Sequence, residues 1–535
     1  MARPNRSLVL AVIGGLVMSL GAVLALWPCM PLALIWLAMA LDPKTPAKKG
    51  AWRVFEGGLR GLVFGTVSHV FLQWFILRAI VSFTAISWIV AALLLLLHSV
   101  TQSAPWVVAA IVTLYLARRG VPRWLAFAIA VYAGTFVPVN FPWTIAGSVS
   151  LWPPMVQLAD LIGERGVTAL LAAAAALVAE GFTRSRIAER SAAIRGEASR
   201  GLGGRGSPSR SPRRITFLGA AVAVIAVMAT YGTIRIAMVD RSARDTVRVK
   251  IALLQPDIEA HERWDDSASP KIVERLATLT RAAEARGAEL TIWPEAAYPF
   301  PIADYTKKDV PGPYAILQPG MRGPVLTGLL MTDASGEKYN SAIVCENGQL
   351  STPYHKMHLV WFGEIVPLGD VLPIMRDTFT LGLGLAPGEH QAILPAAGGR
   401  VHAAVLNCLE DTLPGAGREA FDHQRPNLLV NITNDAWFVG SNESEYHVRA
   451  SVMRAVELRR DIVRAVNRGI TTWIDSAGRV RARYDAIAAG SLMVEPSLIE
   501  TTPTFFARFG DWPFALLCAL TAAWPLVRRS RKNQS

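Results

Sequence analysis

Long runs of apolar residues fill the first 240 positions of the chain. Each run approaches the roughly 20 residues that a helix needs to cross a lipid bilayer. The pattern predicts membrane-spanning helices over residues 8–27, 59–78, 80–99, 104–117 with 122–139, 165–182 and 215–238. A shorter run at 29–41 fits either a half-span or a hairpin with the first helix, and a last apolar run follows at 512–527. We therefore expect seven to nine spans.

The pattern changes after residue 248, where short apolar strands alternate with amphipathic helices up to residue 499. Strands are predicted over 247–255, 288–295, 323–331, 341–349, 402–408 and 428–435, and helices over 271–287 and 449–466. Such alternation is typical of an α/β domain. Three of the strands end on residues with useful chemistry, namely Glu295, Cys408 and the pair Asn434-Asp435. Since sites in α/β sheets are built at strand ends, we expect catalysis in this domain.

The composition agrees with a membrane part and a water-exposed part in one chain. The chain has 535 residues, 52% of them hydrophobic, and a mean hydropathy of +0.32. Its length exceeds that of one ordinary domain, and its hydropathy exceeds that of an ordinary soluble protein. We predict a transmembrane helical domain at 1–240, a catalytic domain at 241–505, and a final membrane helix with a basic tail at 506–535.

The positive charge is concentrated beside the apolar runs. The net charge is +13, and residues 184–214 carry nine arginines and two glutamates in a stretch rich in Gly, Ser and Pro. Such a composition predicts a flexible loop, and Arg-rich loops between spans stay in the cytoplasm. The basic tail after residue 527 follows the same rule, so residues 239–511 are expected outside the cytoplasm. This distribution argues against a nucleic-acid partner.

The four cysteines, Cys29, Cys345, Cys408 and Cys518, are too dispersed for a disulfide framework or a zinc cluster. The sequence also contains no phosphate-binding loop and no glycine-rich dinucleotide fingerprint. We therefore expect neither a metal nor a cofactor. A cysteine after an apolar run is most often a packed core thiol, and Cys408 alone would be interpreted in that way.

Glu295, Lys356 and Cys408 together supply the groups that a thiol nucleophile requires. A thiol needs a proton acceptor, and an acyl intermediate needs a cation or amide donors at its oxyanion. Glu295 lies in Trp-Pro-Glu, and Lys356 lies in Tyr-His-Lys-Met-His-Leu. Taken singly, Glu295 could cap a helix and Lys356 could be a solvated surface charge. The hypothesis of a catalytic site therefore rests on the three residues together.

With their neighbours, these residues resemble the carbon–nitrogen hydrolase (nitrilase) superfamily and, within it, the membrane-embedded apolipoprotein N-acyltransferase branch. The resemblance covers most of the chain. A second glutamate motif, Phe-Gly-Glu-x-x-Pro, matches the segment around Glu364, and a carboxylate two residues after the nucleophile matches Glu410. Further matches are Thr433-Asn434-Asp435-Ala436-Trp437-Phe438, Arg454-Ala455, Glu457, Arg460, Arg464, Asn467 and Gly469.

The resemblance implies a nitrilase-like α-β-β-α sandwich attached to a multi-span α-helical membrane domain. It implies that Glu295 is the base, Lys356 the cation and Cys408 the nucleophile. Supporting roles are implied for Glu364, Glu410 and the backbone N–H of Leu409. Aromatic residues expected around the substrates are Trp264, Trp361, Phe362 and Trp437.

The implied reaction moves an acyl chain from a membrane phospholipid to the nucleophile as a thioester. The chain then passes to the N-terminal amine of a diacylglyceryl-cysteine lipoprotein, without a cofactor or a metal. The expected partners are the phospholipid donor, the apolipoprotein acceptor and the bilayer, and the protein is expected to be a monomer. The expected location is the bacterial inner membrane, with the catalytic domain on the periplasmic side.

Two departures from the family pattern leave alternatives open. Leu409 stands where the family commonly has Tyr, and Glu443-Ser444-Glu445-Tyr446-His447 stands where it usually has Pro-x-Gln-His. Both positions are expected in the walls of the substrate pocket. One alternative is a membrane-anchored amidase or nitrilase that uses the same triad. The other is a diverged, inactive lipid-binding paralogue that acts as a transporter or scaffold.

Overall fold

The computed structural model has helices in its first part and a mixed α/β domain after them. It describes residues 5–42, 52–83, 86–199, 212–263, 265–361, 363–365 and 384–532. The helices of the first part are α1 (Arg6–Val23), α2 (Cys29–Ala40), α3 (Trp52–Leu72), α4 (Trp74–Phe83), α5 (Trp88–Thr101), α6 (Ala104–Arg118), α7 (Arg123–Gly134), α8 (Ile145–Ser148), α9 (Pro153–Val156), α10 (Ala159–Ser199) and α11 (Pro212–Ser242).

Several of these helices are long and apolar enough to cross a membrane. Within the described residues these are Arg6–Val23, Trp88–Arg118, Ala159–Thr183 and Ile215–Ser242. A further candidate is the bent pair Phe55–Leu72 and Trp74–Ser82, whose halves meet at 51°. Shorter apolar helices are Cys29–Ala40, Arg123–Gly134 and Trp512–Trp524. These are the helices of a multi-pass membrane protein, whereas the number of seven to nine spans stays a prediction.

The predicted helix at 80–99 was wrong at its start, because α5 begins at Trp88. The predicted run at 104–117 matches helix α6, Ala104–Arg118, and α5 and α6 together form one candidate span, Trp88–Arg118. Pro105 lies in the first turn of α6, where the missing N–H of proline costs no helical hydrogen bond. The proline in this apolar run therefore lies beside a helix boundary, between the end of α5 at Thr101 and the start of α6 at Ala104.

The predicted flexible loop at 184–214 was wrong for its first half, because α10 continues to Ser199. Residues 184–199 are rich in Ala, Arg and Glu, which favour helix. The Gly/Ser/Pro-rich stretch comes later, and residues 200–211 lie outside the described residues.

The α/β domain contains two sheets. Its strands are β1 (Ile251–Gln255), β2 (Leu290–Ile292), β3 (Ile302–Ala303), β4 (Val325–Thr332), β5 (Lys338–Glu346), β6 (Gln349–Leu350), β7 (Tyr354–His355), β8 (Ile393–Ala396), β9 (Val401–Asn407), β10 (Leu428–Thr433), β11 (Ile462–Val466), β12 (Thr471–Ile474), β13 (Val480–Tyr484) and β14 (Gly490–Val494). The first sheet has the order β14-β1-β2-β4-β5-β6, with β3 beside β4 and β7 beside β5. The second has the order β13-β12-β11-β10-β9-β8.

Helices cover both outer faces of the paired sheets. The helices of this part are α12 (Ala260–Arg263), α13 (Ser269–Ala285), α14 (Ala420–His423), α15 (Glu443–Leu458), α16 (Phe505–Phe509) and α17 (Trp512–Lys532). Apolar residues such as Leu253, Val405 and Val430 fill the space between the sheets. Leu276 of α13 packs on the first sheet, and Val452 of α15 packs on the second. The α-β-β-α sandwich beside a helical membrane part confirms the predicted fold class.

The predicted helix at 449–466 was wrong from residue 459 onward, which is nearly half of its length. Helix α15 ends at Leu458, and Arg459 adopts a left-handed backbone with a φ of +50°. Strand β11 follows at Ile462–Val466. This short segment is rich in β-branched residues, which favour strands, but a short apolar run does not by itself distinguish a strand from a helix.

Buried ion pairs fasten α15 to the membrane helices. Arg454 Nη2 lies 2.7 Å from a carboxylate oxygen of Glu164 on α10. Arg459 Nη2 lies 2.7 Å from a carboxylate oxygen of Asp160 on the same helix. All four side chains are buried, so removal of one partner would leave an uncompensated buried charge. The sandwich is therefore held against the membrane part through α15.

Candidate active site

Residues that follow strand ends of both sheets meet at one edge of the sandwich. Cys408 follows β9 directly, Asn434 follows the neighbouring β10 directly, and Glu295 follows β2 of the facing sheet. The backbone N–H of Asn434 donates to Glu295 Oε2 at 3.1 Å, which joins the two sheets at this point. Lys356 follows β7. All three residues expected to be catalytic thus come from strand ends.

Lys356 lies between two carboxylates in a nearly dry environment. Its Nζ is 3.2 Å from Glu295 Oε1 and 2.8 Å from Glu364 Oε2. The three side chains are only 1%, 8% and 10% exposed. Asn340 Nδ2 donates to Glu295 Oε1 at 2.8 Å and to Glu364 Oε1 at 2.7 Å. Two carboxylates around one ammonium form a group that can still accept a proton.

Burial and the neighbouring charges shift the pKa values of Glu295 and Lys356. Burial raises the pKa of Glu295, attraction by Lys356 lowers it and repulsion from Glu364 raises it again, so that it lies above its ordinary value. Burial alone would lower the pKa of Lys356, but the two carboxylates raise it well above its ordinary value. The ammonium therefore stays charged, while Glu295 gains the proton affinity of a general base.

Cys408 is held in a strained backbone conformation at the start of a short 3₁₀ turn, Cys408–Thr412. Its φ is +53°, and such left-handed positions cost about 1–3 kcal/mol outside glycine and concentrate at functional sites. Burial and the negative charge of Glu295 raise the pKa of the thiol well above its ordinary value, and Lys356 only partly opposes them. The resting group is a neutral thiol, which needs a base before it can act as a nucleophile.

Glu410 connects the nucleophile turn to the segment that carries the lysine. Its Oε2 accepts hydrogen bonds from the backbone N–H of Asn407 and from the hydroxyl of Tyr354, both at 2.7 Å. Its Oε1 accepts from the backbone N–H groups of Met357 and His358, at 2.7 and 3.1 Å. Burial raises the pKa of Glu410, but the hydrogen bonds it accepts bring it below its ordinary value. An ionised Glu410 therefore fixes both segments through their backbones.

Leu409 points its side chain into an apolar cluster shared with the membrane part. Leu409 packs with Phe75 of α4 and with Phe141, which lies between α7 and α8. The three residues are 8%, 3% and 7% exposed. Cys408 is partly buried against the same cluster. Cys408 therefore lies beside side chains of the membrane part, whereas a place for Leu409 in the wall of a substrate pocket stays a prediction.

The aromatic residues expected around the substrates fall into two groups. Trp361 is 53% exposed, and the preceding Val360 donates its backbone N–H to Glu364 Oε2 at 2.9 Å. Trp437 is half-buried in the turn after β10. The other two, Trp264 and Phe362, lie outside the described residues. The substrate-binding roles of all four stay predictions.

Sequence reasoning missed Asn340, the residue that bridges the two carboxylates. Its Oδ1 accepts a hydrogen bond from Asn407 Nδ2 at 2.9 Å, so it also reaches the residue before the nucleophile. Asn340 is 4% exposed inside strand β5. The signal in the sequence was a polar Asn340-Ser341 pair directly before the apolar residues 342–345 of the strand, because a buried amide requires partners.

A second buried charged cluster lies behind the site, in the segment that departs from the family pattern. His447 Nε2 is 2.7 Å from Glu443 Oε1, and His447 Nδ1 is 3.7 Å from Asp435 Oδ1. Their ligand atoms lie within 4.8 Å of one another, so the three residues could hold a metal ion. Burial lowers the pKa of His447, but Glu443 and Asp435 raise it to about 9. In the structure an imidazole with a raised pKa therefore lies between two buried carboxylates.

The same segment also contacts the membrane part. Tyr446 stacks on Trp143, with ring centroids 3.9 Å apart and planes 5° from parallel. It also meets Trp27 edge to face at 4.9 Å. Residues 443–447 therefore contribute to the contact between the two parts, in addition to any role in the substrate pocket.

Two family models match separate parts of the chain. The model described as apolipoprotein N-acyltransferase N-terminal domain matches residues 14–177. The model described as carbon-nitrogen hydrolase matches residues 250–502. The first covers the membrane helices as far as α10, and the second covers the sandwich and its site.

Relatives that match the whole chain contain both parts. An apolipoprotein N-acyltransferase from Geobacter metallireducens is 30% identical over 100% of this chain and 98% of its own length. The chain belongs to the apolipoprotein N-acyltransferase family. Apolipoprotein N-acyltransferases from Bradyrhizobium diazoefficiens and Azotobacter vinelandii are 31% and 30% identical, over 74% and 97% of this chain and 70% and 95% of their own lengths. The resemblance inferred from the sequence motifs is thereby confirmed.

Proposed function

We propose that the protein moves an acyl chain from a membrane phospholipid, through a thioester on Cys408, to the N-terminal amine of a diacylglyceryl-cysteine lipoprotein. Membership of the apolipoprotein N-acyltransferase family supports acyl transfer between a lipid and a lipoprotein. The finer proposal rests on the position of the nucleophile. Glu295 and Lys356 act on its charge, while Phe75 and Phe141 of the membrane part lie against it.

In the first half-reaction Glu295 takes the proton from Cys408, and the sulfur attacks the ester carbonyl carbon of the phospholipid. Lys356 and the backbone N–H of Leu409 stabilise the oxyanion of the tetrahedral intermediate. The C–O bond of the ester then breaks, and the proton held by Glu295 passes to the leaving alkoxide. A lysophospholipid departs, and the acyl chain stays on the sulfur as a thioester.

In the second half-reaction the free α-amino group of the diacylglyceryl-cysteine attacks the thioester. The same oxyanion donors act again, the C–S bond breaks and an amide forms. Glu295 accepts the proton that the amine loses and returns it to the departing thiolate. The scheme is ping-pong, with no change of oxidation state and therefore no need for a redox cofactor. A raised carboxylate pKa suits both proton transfers.

Glu364 and Glu410 position the reacting groups in this scheme. Glu364 pairs directly with Lys356, so the ammonium is held between two carboxylates rather than one. Glu410 binds the backbone beside the nucleophile and beside the lysine, so it keeps the two at a fixed separation.

We also propose that the site lies at the outer face of the bacterial inner membrane. Both proposed substrates carry lipid chains held in the bilayer, and exposed Trp361 lies close in sequence to Glu364, where it can enter the interface. The arginines of 184–214 and of the basic tail favour the cytoplasmic side for those segments. The three regions 1–240, 241–505 and 506–535 then form a membrane anchor, a periplasmic catalytic domain and a returning helix.

A product assay tests the proposal against its alternatives. The purified protein is incorporated into phosphatidylethanolamine vesicles with a diacylglyceryl-cysteine peptide, and the products are identified by mass spectrometry. We expect equal amounts of triacylated peptide and lysophospholipid, and neither with Cys408→Ala. Free fatty acid without acylated peptide would indicate a hydrolase such as an amidase that delivers the thioester to water. The absence of both products would indicate an inactive paralogue.

A further inference from the structure

Arg78 places one positive charge in an apolar helix of the membrane part. Helix α4 has the sequence WFILRAIVSF and forms the second half of the bent membrane segment. The side chain of Arg78 is exposed. Ionisable residues inside membrane segments are costly, and they mark substrate or ion sites far more often than ordinary surface charges do.

The helix that carries Arg78 also forms the apolar wall beside the nucleophile. Phe75 lies three residues earlier, so the two side chains share one face of the helix. Phe75 packs against Leu409, the residue after the nucleophile, and its ring centroid is 5.0 Å from that of Phe438. Because a helix rises about 1.5 Å per residue, Arg78 lies roughly 4.5 Å further along the axis from this wall.

A single backbone contact orients the guanidinium toward the catalytic domain. Arg78 Nη1 donates to the carbonyl oxygen of Gly440 at 2.9 Å. Gly440 has a φ of +75°, and a Cβ built there would lie 3.3 Å from Nη1, so the chain approaches the guanidinium closely at a residue without a side chain. Among the residues that the structure describes, no carboxylate pairs with Arg78. Several of the five guanidinium N–H donors therefore remain for another acceptor.

We propose that Arg78 binds the phosphodiester group of the phospholipid acyl donor. The inference rests on the proposed function, because it assigns the headgroup of the lipid whose ester reaches Cys408. A phosphodiester is anionic, and a planar guanidinium group can donate two parallel hydrogen bonds to its oxygens. The phosphate of a glycerophospholipid is only a few bonds from the ester, and Arg78 lies about one helical turn from Phe75, which packs against Leu409. The diacylglyceryl acceptor has no phosphate, so Arg78 acts in the first half-reaction only.

The test compares two acyl donors that differ in the phosphate. Thioester formation on Cys408 is followed by intact-mass spectrometry with phosphatidylethanolamine and with a diacylglycerol of the same acyl chains. For Arg78→Gln we expect the apparent KM for phosphatidylethanolamine to rise roughly 10- to 100-fold, as for the loss of a charge-assisted hydrogen-bond pair. The rate with diacylglycerol should stay unchanged, which also shows that the variant is folded. Arg78→Lys should recover part of the loss, because it keeps the charge and lacks the fork.

Arg244 provides the matched control. It is an exposed arginine just after α11, where the chain enters the catalytic domain, and Arg244→Gln should leave both donors unaffected. Three outcomes would overturn the inference: no change in Arg78→Gln, an equal loss with both donors, or an equal loss in Arg244→Gln. A wild-type protein that forms no thioester with either donor would instead refute the proposed function itself.

Discussion

Glu295 is a carboxylate whose surroundings increase its affinity for a proton. Its pKa is raised by burial and by Glu364, against the attraction of Lys356. A base acts only when ionised, so activity should fall as the pH drops through a value above the ordinary glutamate pKa of about 4.3. The acidic limb of the pH profile of kcat/KM, which reports on the free enzyme, should therefore lie at a higher pH than it would for an exposed carboxylate.

We expect Glu295→Gln to slow thioester formation by about 10²–10⁴-fold, because general-base catalysis typically contributes that factor. The same substitution should abolish the acidic limb. Glu274→Gln, at an exposed position on α13, is the control and should leave both rate and profile unchanged. The rate of thioester formation is measured by mixing the protein rapidly with phospholipid, quenching at intervals and following the adduct by intact-mass spectrometry. A loss of less than tenfold in Glu295→Gln would remove Glu295 from the role of base.

Site residues that lie in short linear motifs were predictable from the sequence, whereas site residues outside such motifs were not. Glu295, Lys356 and Cys408 lie at strand ends within recognisable patterns, and the structure brings Glu295 and Lys356 to 3.2 Å. Asn340 has no such pattern, because its role depends on which strands pair across the sheet. The geometry that places it between two carboxylates arises only from long-range folding.

Helix α15 begins with a buried charged cluster that couples its stability to pH. Burial lowers the pKa of His447, whereas Glu443 and Asp435 raise it to about 9; Asp411 also raises it, and Arg464 acts on Glu443 from β11. The folded-state pKa thus exceeds the ordinary value of about 6.5. The stabilisation is fully present below pH ~6.5 and is lost as the pH rises through about 9.

We expect the melting temperature of the wild-type protein in detergent to fall between pH 7 and pH 10. The fall should be smaller in His447→Gln, which lacks the titrating group. His261→Gln is the control, because His261 is 82% exposed, and it should melt like the wild type. Equal pH slopes in the wild type and His447→Gln would contradict the ion-pair interpretation. A chelator effect on the wild type that His447→Gln lacks would show that the cluster holds a metal.

At the level of elements, the sequence pattern predicted six of the fourteen described strands of the sandwich but not their partners. Strands β9 and β10 are parallel neighbours, whereas β2, which precedes Glu295, belongs to the opposite sheet. The segment 449–466 shows the limit of periodicity, because a helix and a buried strand follow one another within it. Arg459 separates them in a left-handed backbone conformation. Glycine or asparagine usually occupies such a position, so the sequence did not indicate the break.

At the scale of the whole molecule, the catalytic domain and the membrane part form a continuous contact. Arg454 and Arg459 of the catalytic domain pair with Glu164 and Asp160 of α10. The sequence showed Arg454, but not Arg459, in a family pattern and gave no sign of their partners, which lie 290 and 299 residues away. The membrane helices therefore hold the α/β domain directly through buried ion pairs.

The arginine distribution predicts the topology of the chain. A reporter that is active only in the cytoplasm should be active when fused after residue 200 or at residue 535, and silent when fused near residue 330. The physical reason is that Arg-rich segments beside spans are retained in the cytoplasm. The opposite pattern of reporter activity would place the catalytic domain inside and put the lipoprotein substrate out of its reach.

The most direct test of the central claim is the intact mass of the purified protein after incubation with phosphatidylethanolamine vesicles and no acceptor. The account predicts one acyl adduct on Cys408, absent from Cys408→Ala and discharged when a diacylglyceryl-cysteine peptide is added. Cys345→Ala is the matched control and should keep the adduct, because Cys345 is a fully buried core residue. An unmodified wild-type protein, or an adduct that persists in Cys408→Ala, would contradict the account.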